Sequence, residues 1–366
     1  MRPEDLRARV PTGESVAEAV REIIADVRAR GDTAVAELEA RFAVPHAEGP
    51  VPDAALRTAY DNVYAVARAS VVGDREVELP QGHRVRVREV PVHRAGIYAP
   101  GGQAPYPSSV IMGVATARAA GVEEVVVCAS HPIMRAAAFA ADEVHAMGGA
   151  HAIAALAYGT ETIKPVDVIV GPGSLYAQEA KRQVAHVVGI DGFAGPSDLL
   201  IIASEPSGLV RLDALAQAEH GPGTIVAVLS PDPTVLRGLE APIVPIPVDS
   251  LEDALAFSEA FAPEHLQLVG ADAEALAPRV TRAGAVFVGT GTAFGDYVAG
   301  SNHVLPTEGA ARFASGLNVR HFLRVMNEVH IPPGAAAQLA AAGVAIAEAE
   351  GFGAHAASMA ARMDAP

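Results

Sequence analysis

The chain has 366 residues, half of them apolar, with 43 acidic and 27 basic side chains and a formal net charge of −16. This length predicts one large domain or two of ordinary size. A surface this acidic repels phosphate backbones and anionic lipids, so neither nucleic acid nor a membrane is an expected partner. The charged start MRPEDLRARV is unlike a signal peptide, and no run reaches the roughly 20 apolar residues of a membrane span. We expect a globular, cytoplasmic protein.

The single cysteine, Cys128, excludes an intrachain disulfide and a cysteine-rich zinc site. It ends the apolar run VVVC, and thiols in such surroundings are usually inert. We therefore expect a buried structural residue rather than a nucleophile.

Helical patterns dominate the first part of the chain. Ser15 and Glu18 have the spacing of a capping box, which predicts a helix from this point to Arg30, with Gly31 as its stop. Further helices are predicted over 33–42 and 53–70. Basic or polar residues alternate with apolar ones over 84–98, which predicts strands.

From about residue 95, predicted strands alternate with predicted helices. The strands lie at 124–128, 152–156, 166–170, 199–203, 224–229, 266–269 and 285–288, and the helices at 110–120, 133–147, 174–187, 209–220, 251–261 and 272–283. This alternation indicates parallel sheets with crossover helices, hence an α/β fold. From about residue 310 the chain becomes a mostly helical, alanine-rich tail.

Gln217 and His220 are three residues apart at the end of a predicted helix, so both project from one face of its last turn. An amide oxygen and an imidazole at this spacing can share a zinc ion. The alternative is a histidine that interacts only with the helix dipole, and the local pattern alone favours it.

Glu264 and His265 precede a predicted apolar strand, at the kind of boundary that often carries catalytic groups. A surface turn is the simpler interpretation of this pattern alone. Asp296 is a candidate carboxylate ligand, and His303 is a candidate donor to a polar substrate, both in a predicted loop. For His355, in the tail, the local pattern favours an exposed helix position.

The turn Gly171-Pro172-Gly173 opens a predicted helix after a strand, where backbone amides can meet an anion. The G-x-G-x-x-G fingerprint of dinucleotide-binding loops is absent from the sequence. H-E-x-x-H and G-x-S-x-G are also absent, which argues against zinc proteases and serine hydrolases.

From about residue 15 to near the C-terminus, the chain resembles histidinol dehydrogenase. The segments that carry the resemblance are AGIYAPGG (95–102), PSSVIM (107–112), IAALAYGT (153–160), VDVIVGPG (166–173), EAKRQV (179–184), GIDGFAGPSD (189–198), QAEHGP (217–222), APEHL (262–266), AGAVFVG (283–289) and GDYVAGSNHVLPT (295–307). So many matches in one order are far more specific than a single motif.

The resemblance implies site residues, which fall on positions that match the family. The implied zinc ligands are Gln217, His220, Asp296 and His355, so His355 becomes a ligand rather than an exposed helix residue. The implied acid and base pair is Glu264 and His265. The implied substrate contacts are Ser197, His303, Glu350, His265 and the four zinc ligands. The implied NAD contacts are Tyr98, His151 and Ser174; the family usually has Gln and Asn at the last two positions.

The resemblance also implies the reaction: L-histidinol is oxidised through L-histidinal to L-histidine with two NAD, the last step of histidine biosynthesis. Zinc, one ion per subunit, would bind and orient the substrate. His265 would accept the alcohol proton, and Glu264 would activate water for the second oxidation, which needs no thiol.

The implied fold has two incomplete Rossmann-like domains with parallel sheets plus a helical C-terminal tail. Residues 1–88 and 199–310 would form a discontinuous domain that carries the zinc and acid/base residues. Residues 89–198 would form an inserted cofactor-side domain, and 311–366 a tail that reaches the partner subunit of a homodimer.

Three alternatives remain open. A paralogue could oxidise another polar alcohol, such as a sulfonated diol, on the same scaffold; Glu350 and His303 argue for histidinol instead. A non-catalytic zinc- or ligand-binding protein is supported only by His151 and Ser174. A zinc hydrolase would need no NAD.

Overall fold

The computed structural model describes residues 1–9, 15–42, 51–99, 101, 105–221, 223–289 and 291–363. Its helices are α1 (Pro3–Arg7), α2 (Ala17–Arg30), α3 (Asp32–Phe42), α4 (Asp53–Ala69), α5 (Pro107–Ala120), α6 (Pro132–Ala137), α7 (Gly149–Tyr158), α8 (Leu175–Val184), α9 (Gly208–Ala218), α10 (Pro233–Leu236), α11 (Leu251–Phe261), α12 (Ala271–Glu274), α13 (Thr292–Tyr297), α14 (Pro333–Ala349) and α15 (Gly353–Ala360). Short 3₁₀ turns lie at Ala277–Arg279, Ala310–Arg312 and Val319–His321.

The strands are β1 (Arg75–Glu78), β2 (Arg84–Pro91), β3 (Arg94–Ala99), β4 (Glu124–Ala129), β5 (Glu143–His145), β6 (Val168–Val170), β7 (Gly189–Ile190), β8 (Asp198–Ala203), β9 (Ile225–Ser230), β10 (Ile243–Pro247), β11 (His265–Val269), β12 (Ala285–Val288) and β13 (Leu323–His330). The chain divides into two compact units. The first comprises Met1–Ser70 and Val92–Phe322, and the second Val71–Pro91 and Leu323–Pro366.

The first unit contains two five-stranded sheets. Their strand orders are β5-β4-β3-β6-β7 and β10-β9-β8-β11-β12, and every neighbouring pair is parallel. In each sheet the chain moves outward from a central strand and then returns to the other side of it. This is the doubly wound arrangement of Rossmann-like folds, shortened to five strands. The predicted fold class is therefore confirmed, including the C-terminal helices.

Helices cover both faces of the second sheet, which explains why its central strands are apolar throughout. Val210 and Ala214 of α9 pack with Leu199 and Ile201 on one face. Phe257 and Phe261 of α11 lie in the core on the other face. Strands that are buried on both faces show no alternation of apolar and polar residues. Hydrogen bonds from α9 reach Ser197, beside the start of β8, and Gln267, within β11.

The second unit is an antiparallel sheet in the order β1-β2-β13, together with α14 and α15. The predicted helical tail is correct for α14 and α15, but the prediction missed β13. Cross-strand partners such as Val85 and Val329 decide this strand, and they lie far apart in the sequence.

Four local predictions are wrong. Val16, not Ser15, is the N-cap of α2, so the predicted capping box does not form. The predicted helix 133–147 ends at Ala137, and Glu143–His145 pair with β4 as a strand. The predicted strand 152–156 lies inside α7, because a helix buried on every side is as uniformly apolar as a buried strand. The predicted helix 272–283 ends early, as Pro278 cannot continue it.

Several other predictions are confirmed. Gly31 ends α2 with a φ of 54°, and Cys128 is fully buried in β4.

The three-part domain division at residues 88, 198 and 310 stays a prediction. Parts of the turn at 99–109, and Pro222, lie outside the described residues. Among those described, no helix has both the length and the apolar character needed to span a bilayer.

Gly171, which follows β6, provides a test of the close packing in the first sheet. Its φ is 126°, and a Cβ there would lie 1.9 Å from the carbonyl oxygen of Tyr98. Because both the backbone conformation and the space exclude a side chain, Gly171→Ala should lower the free energy of unfolding by at least about 2 kcal/mol. Urea titration measures this change.

Gly208, at the start of α9, is the matched control, because a Cβ there would meet nothing within 4 Å. Gly208→Ala should leave stability unchanged or raise it slightly. Equal unfolding free energies for the two variants would contradict the packing described at Gly171.

Candidate active site

A cavity of about 350 Å³ lies between the two sheets of the first unit. Residues that follow β6 line it on one side, at the carboxyl end of the first sheet. Glu264 and His265 line it on the other side, at the start of β11. The cavity thus meets the carboxyl end of one sheet and the amino end of the other. Open α/β sheets usually bind ligands only at their carboxyl ends.

Glu264 is held by the first residues of β8. Its Oε2 atom accepts hydrogen bonds from the hydroxyl of Ser197 and the backbone N–H of Asp198, the latter at 3.0 Å. In return, the N–H of Glu264 donates to Oδ1 of Asp198 at 2.6 Å. Ala262, just before, has a φ of 52°, a costly conformation for a residue with a side chain. The turn is therefore shaped to direct Glu264 into the cavity.

Two carboxylates face the ring of His265. Nε2 lies 3.4 Å from Oδ1 of Asp296, and Nδ1 lies 3.6 Å from Oε2 of Glu264. Burial works to lower the pKa of His265, but the carboxylates of Glu264 and Asp296 outweigh it and raise this pKa to about 10. Burial likewise works to raise the pKa of Asp296, but the contact with His265 outweighs it and lowers that pKa.

Gln217 lies in the last turn of α9, and His220 lies just beyond the C-cap, Glu219, so the helix ends two residues earlier than predicted. Nδ1 of His220 lies 3.0 Å from the carbonyl oxygen of Gln217, so Nδ1 carries the proton and Nε2 keeps a free lone pair. The side-chain amide of buried Gln217 donates to Ser197 Oγ at 2.6 Å, which leaves its oxygen as an acceptor. A chain of hydrogen bonds thus runs from Gln217 through Ser197 to Glu264.

His303 lines the cavity, and both of its ring nitrogens have partners. Nδ1 lies 2.9 Å from the carbonyl oxygen of Asp296 and must donate to it. Nε2 then accepts from the hydroxyl of Ser109 at 2.7 Å. Burial lowers the pKa of His303, which favours this neutral form. The predicted loop around Asp296 is in fact α13.

The glycine turn after β6 brings the start of α8 to the cavity. Pro172, Gly173 and Ser174 line it. Ser174 is the N-cap of α8, but its side chain does not bond to the first amides of the helix. These amides can therefore receive an anionic group of a ligand.

The other two predicted NAD contacts lie in packed interior positions. Tyr98 is 2% exposed, and its hydroxyl accepts from the N–H of Gly149 at 3.1 Å. Burial raises the pKa of Tyr98 to about 12. His151 is also 2% exposed and pairs with Glu39 at 2.7 Å. Of the three, Ser174 is thus the residue that the structure brings to the cavity wall.

Glu350 and His355 belong to the second unit. Glu350 is the C-cap of α14, and the ring of His355, on α15, contacts that of Phe352 at a centroid distance of 5.5 Å. Of the other predicted zinc ligands, His220 and Asp296 line the cavity of the first unit, and Gln217 is hydrogen-bonded to Ser197, which also lines it. The described residues include no cluster of three or more His, Cys, Asp or Glu side chains arranged for a metal.

Sequence reasoning missed Asp198 and Ser109. Asp198 is 1% exposed, and burial together with the nearby charge of Glu264 raises its pKa to about 7. A charged residue at the start of the apolar strand DLLIIA was the available signal. Ser109 had no comparable signal, because its partner His303 lies 194 residues away.

A buried histidine between two carboxylates, in a cavity lined by both halves of a doubly wound fold, defines an α/β enzyme with an acid–base site. Comparison with known proteins gives the particular family. The family model for histidinol dehydrogenase matches residues 7–245 and 242–363. The chain therefore belongs to the histidinol dehydrogenase family, whose members are oxidoreductases of histidine biosynthesis.

Relatives match over nearly the whole chain. The histidinol dehydrogenase of Rhizobium meliloti is 38% identical over 98% of this chain and 94% of its own length. That of Thermus thermophilus is 40% identical over 97% of this chain and 98% of its own. The crystal structure of histidinol dehydrogenase from Elizabethkingia anophelis has a TM-score of 0.90 and 28% identity, and it covers 99% of this chain and 95% of its own.

The raised pKa of Asp198 predicts a pH-dependent stability. Because folding favours the protonated form, this contribution to stability is fully present below about pH 4 and is lost as pH rises through about 7. Asp198→Asn keeps an acceptor oxygen but cannot ionise. Its unfolding free energy, relative to the unchanged protein, should therefore increase from pH 5 to pH 8 in urea titrations.

Asp272→Asn, at an exposed position of α12, is the control for loss of one surface charge. This variant should show a nearly constant difference over the same pH range. A constant difference for Asp198→Asn as well would contradict the burial of an ionisable group at position 198.

Proposed function

We propose that this protein catalyses the four-electron, NAD-dependent oxidation of L-histidinol through L-histidinal to L-histidine, in the cytoplasm and with one zinc ion per subunit. The observation that carries the proposal is one cavity that joins the Glu264–His265 pair to Asp296, His220 and the start of α8. Family membership supports the choice of substrate.

The residues present fit a zinc ion in their donor chemistry. Nε2 of His220 has a lone pair, because a backbone carbonyl holds the proton on Nδ1, as is usual for metal-bound histidines. The carboxylate of Asp296 and the amide oxygen of Gln217 would be the other two ligands from this unit. Bound zinc would orient the substrate, and its neutralisation of Asp296 would favour the neutral form of His265.

The first oxidation needs a base at the alcohol. Nε2 of His265 is buried and lies 3.4 Å from Oδ1 of Asp296, in a geometry that makes no hydrogen bond. Because bound zinc would engage that carboxylate, Nε2 is the atom that would accept the alcohol proton. NAD would accept the hydride, and the start of α8 beside Ser174 fits a phosphate of this cofactor. Tyr98 and His151 are buried, and they would pack beneath the residues that contact the cofactor.

The second oxidation needs water at the aldehyde carbon. Ser197 and the backbone of Asp198 both bond to Oε2 of Glu264, which leaves Oε1 to remove a proton from water. As the hydrate forms, His265 would return the proton that it took from the alcohol to the former aldehyde oxygen. The hydrate would then lose a hydride to a second NAD, with the neutral His265 accepting a proton again. Cys128 is fully buried, and burial raises the pKa of its thiol, so the route needs no thiol adduct.

Ser197, His303 and Glu350 would contact the polar groups of the substrate. His303 Nε2 can exchange the hydroxyl of Ser109 for a substrate atom, because Ser109 also lines the cavity.

We further propose a homodimer in which Glu350 and His355 of each subunit complete the site of the other. The sheet of the second unit presents an apolar face, on which Val77, Val325 and Val329 are 50%, 61% and 54% exposed. These strands pair so that the three side chains share one face. Exposed apolar patches of this kind mark interaction surfaces.

The direct test supplies purified, zinc-loaded protein with L-histidinol and NAD. We expect two NADH for each L-histidine formed, measured by absorbance and by chromatography. Turnover of another polar alcohol but not histidinol would support the paralogue instead. Absence of NADH from folded protein with bound zinc would exclude the dehydrogenase.

His265→Ala should then lower kcat by about 10²- to 10⁴-fold, because it removes a general base. Zinc content, measured by atomic absorption, should stay unchanged. Loss of zinc in this variant would show that the assignment of ligands and base is wrong.

Active sites shared between subunits predict complementation. His265→Ala and His355→Ala should each be nearly inactive as homodimers. Mixed dimers of the two variants contain one intact site, so denaturing and refolding them together should restore up to about a quarter of the normal activity, because half of the dimers are mixed. Failure to regain activity, with mixed dimers present in native mass spectra, would contradict the sharing.

A further inference from the structure

A carboxylate and a buried amide connect one strand of the second sheet with two neighbouring helices. The side-chain amide nitrogen of Gln267, in β11, donates to Oδ2 of Asp213, in α9, at 2.7 Å. It also lies 3.1 Å from the carbonyl oxygen of Gly289, at the end of β12. The same Oδ2 atom accepts from the N–H of Gly291, at 3.1 Å. Asp213 and Gln267 therefore connect α9, β11 and the start of α13.

Each of these three segments carries a residue of the site. Asp213 is one helical turn before Gln217, so their side chains lie on the same side of α9. Gln267 is two residues after His265 in β11, so both face the same side of the sheet. Gly291 is the N-cap of α13, which carries Asp296. A shift in any one segment would thus displace a ligand or the base.

The stability of the fold alone does not explain why position 267 carries a side-chain amide. Gln267 is fully buried in the middle of a parallel sheet, and its Oε1 atom has no hydrogen-bond partner among the described residues. A buried carbonyl without a partner is destabilising, and an apolar side chain of similar size would avoid that cost. Gln267 therefore contributes by fixing the positions of the segments that it connects.

We propose that Asp213 and Gln267 are positioning residues that hold Gln217, His265 and Asp296 in register for metal binding. This inference rests on the zinc site of the proposed function. The two residues act through the segments that carry the ligands. Loss of a hydrogen bond made directly to a ligand typically weakens metal affinity about 10- to 100-fold. We expect the lower end of this range for contacts that act through the segments that carry the ligands.

The test compares zinc affinity with stability in two variants. Gln267→Leu should lower Tm only slightly, because the lost hydrogen bonds to Asp213 and Gly289 are partly offset by removal of a buried oxygen that has no partner among the described residues. It should nevertheless weaken zinc binding at least about 10-fold. Competition with a chromophoric chelator measures the affinity of the metal-free protein. A purely structural role would lower Tm and leave the zinc Kd unchanged, and that result would overturn the proposal.

Asp213→Ala should also weaken zinc binding at least about 10-fold, whereas Asp213→Asn, which keeps an acceptor for both donors, should stay within about threefold of the unchanged protein. Val210→Ala, also on α9 but buried in the core, is the control for general destabilisation, with a lower Tm and an unchanged Kd. Equal zinc affinity for Asp213→Ala and the unchanged protein would overturn the proposal.

Hydrogen exchange of the metal-free protein separates this inference from the proposed function. Asp213→Ala should speed exchange in 291–297, where the N–H of Gly291 loses its acceptor, and leave 225–230 unchanged. Unchanged exchange in 291–297 would overturn the connection itself. If the wild-type protein binds no zinc, the metal site of the proposed function is refuted. The exchange result would still decide whether Asp213 holds α13 in place.

Discussion

The site depends on the reciprocal hydrogen bonds between Asp198 and Glu264. These bonds tie the first residue of β8 to the residue before β11, so two neighbouring strands of the second sheet start at the same level. Because the strands start together, Ser197 and His265 lie beside Glu264. The candidate acid–base groups therefore lie at the amino end of this sheet, where the fold alone offers no crevice. The carboxyl end of the first sheet supplies the opposing wall.

Much of the fold could be predicted from local patterns. Apolar runs bounded by glycine and proline indicated most strands of both sheets, and the spacing of Gln217 and His220 placed both at a helix end. The errors have a common physical cause. The uniformly apolar α7 resembled a strand, and Glu143–His145 became a strand through its pairing with β4. Tertiary contacts decided both segments, and local patterns cannot contain them.

The candidate site was predictable from the resemblance over nearly the whole chain, and not from the single motifs. The resemblance indicated Glu264 and His265, and the structure brings them together with Asp296. It did not indicate that Tyr98 and His151 would be interior residues, because their partners, Gly149 and Glu39, are set by packing between distant helices and strands. Asp198 was missed for the same reason. Its importance comes from one neighbour in space, not from its neighbours in the chain.

The burial of Cys128 has a consequence for the conditions under which this protein can work. Enzymes that oxidise aldehydes through a thiolate lose activity when peroxide converts that sulfur to its higher acids. Here the single thiol is buried within β4, and the polar side chains that line the cavity carry imidazole, carboxylate and hydroxyl groups. Such groups resist oxidants of this strength. The chemistry at the cavity is therefore uncoupled from the thiol redox balance of the cell.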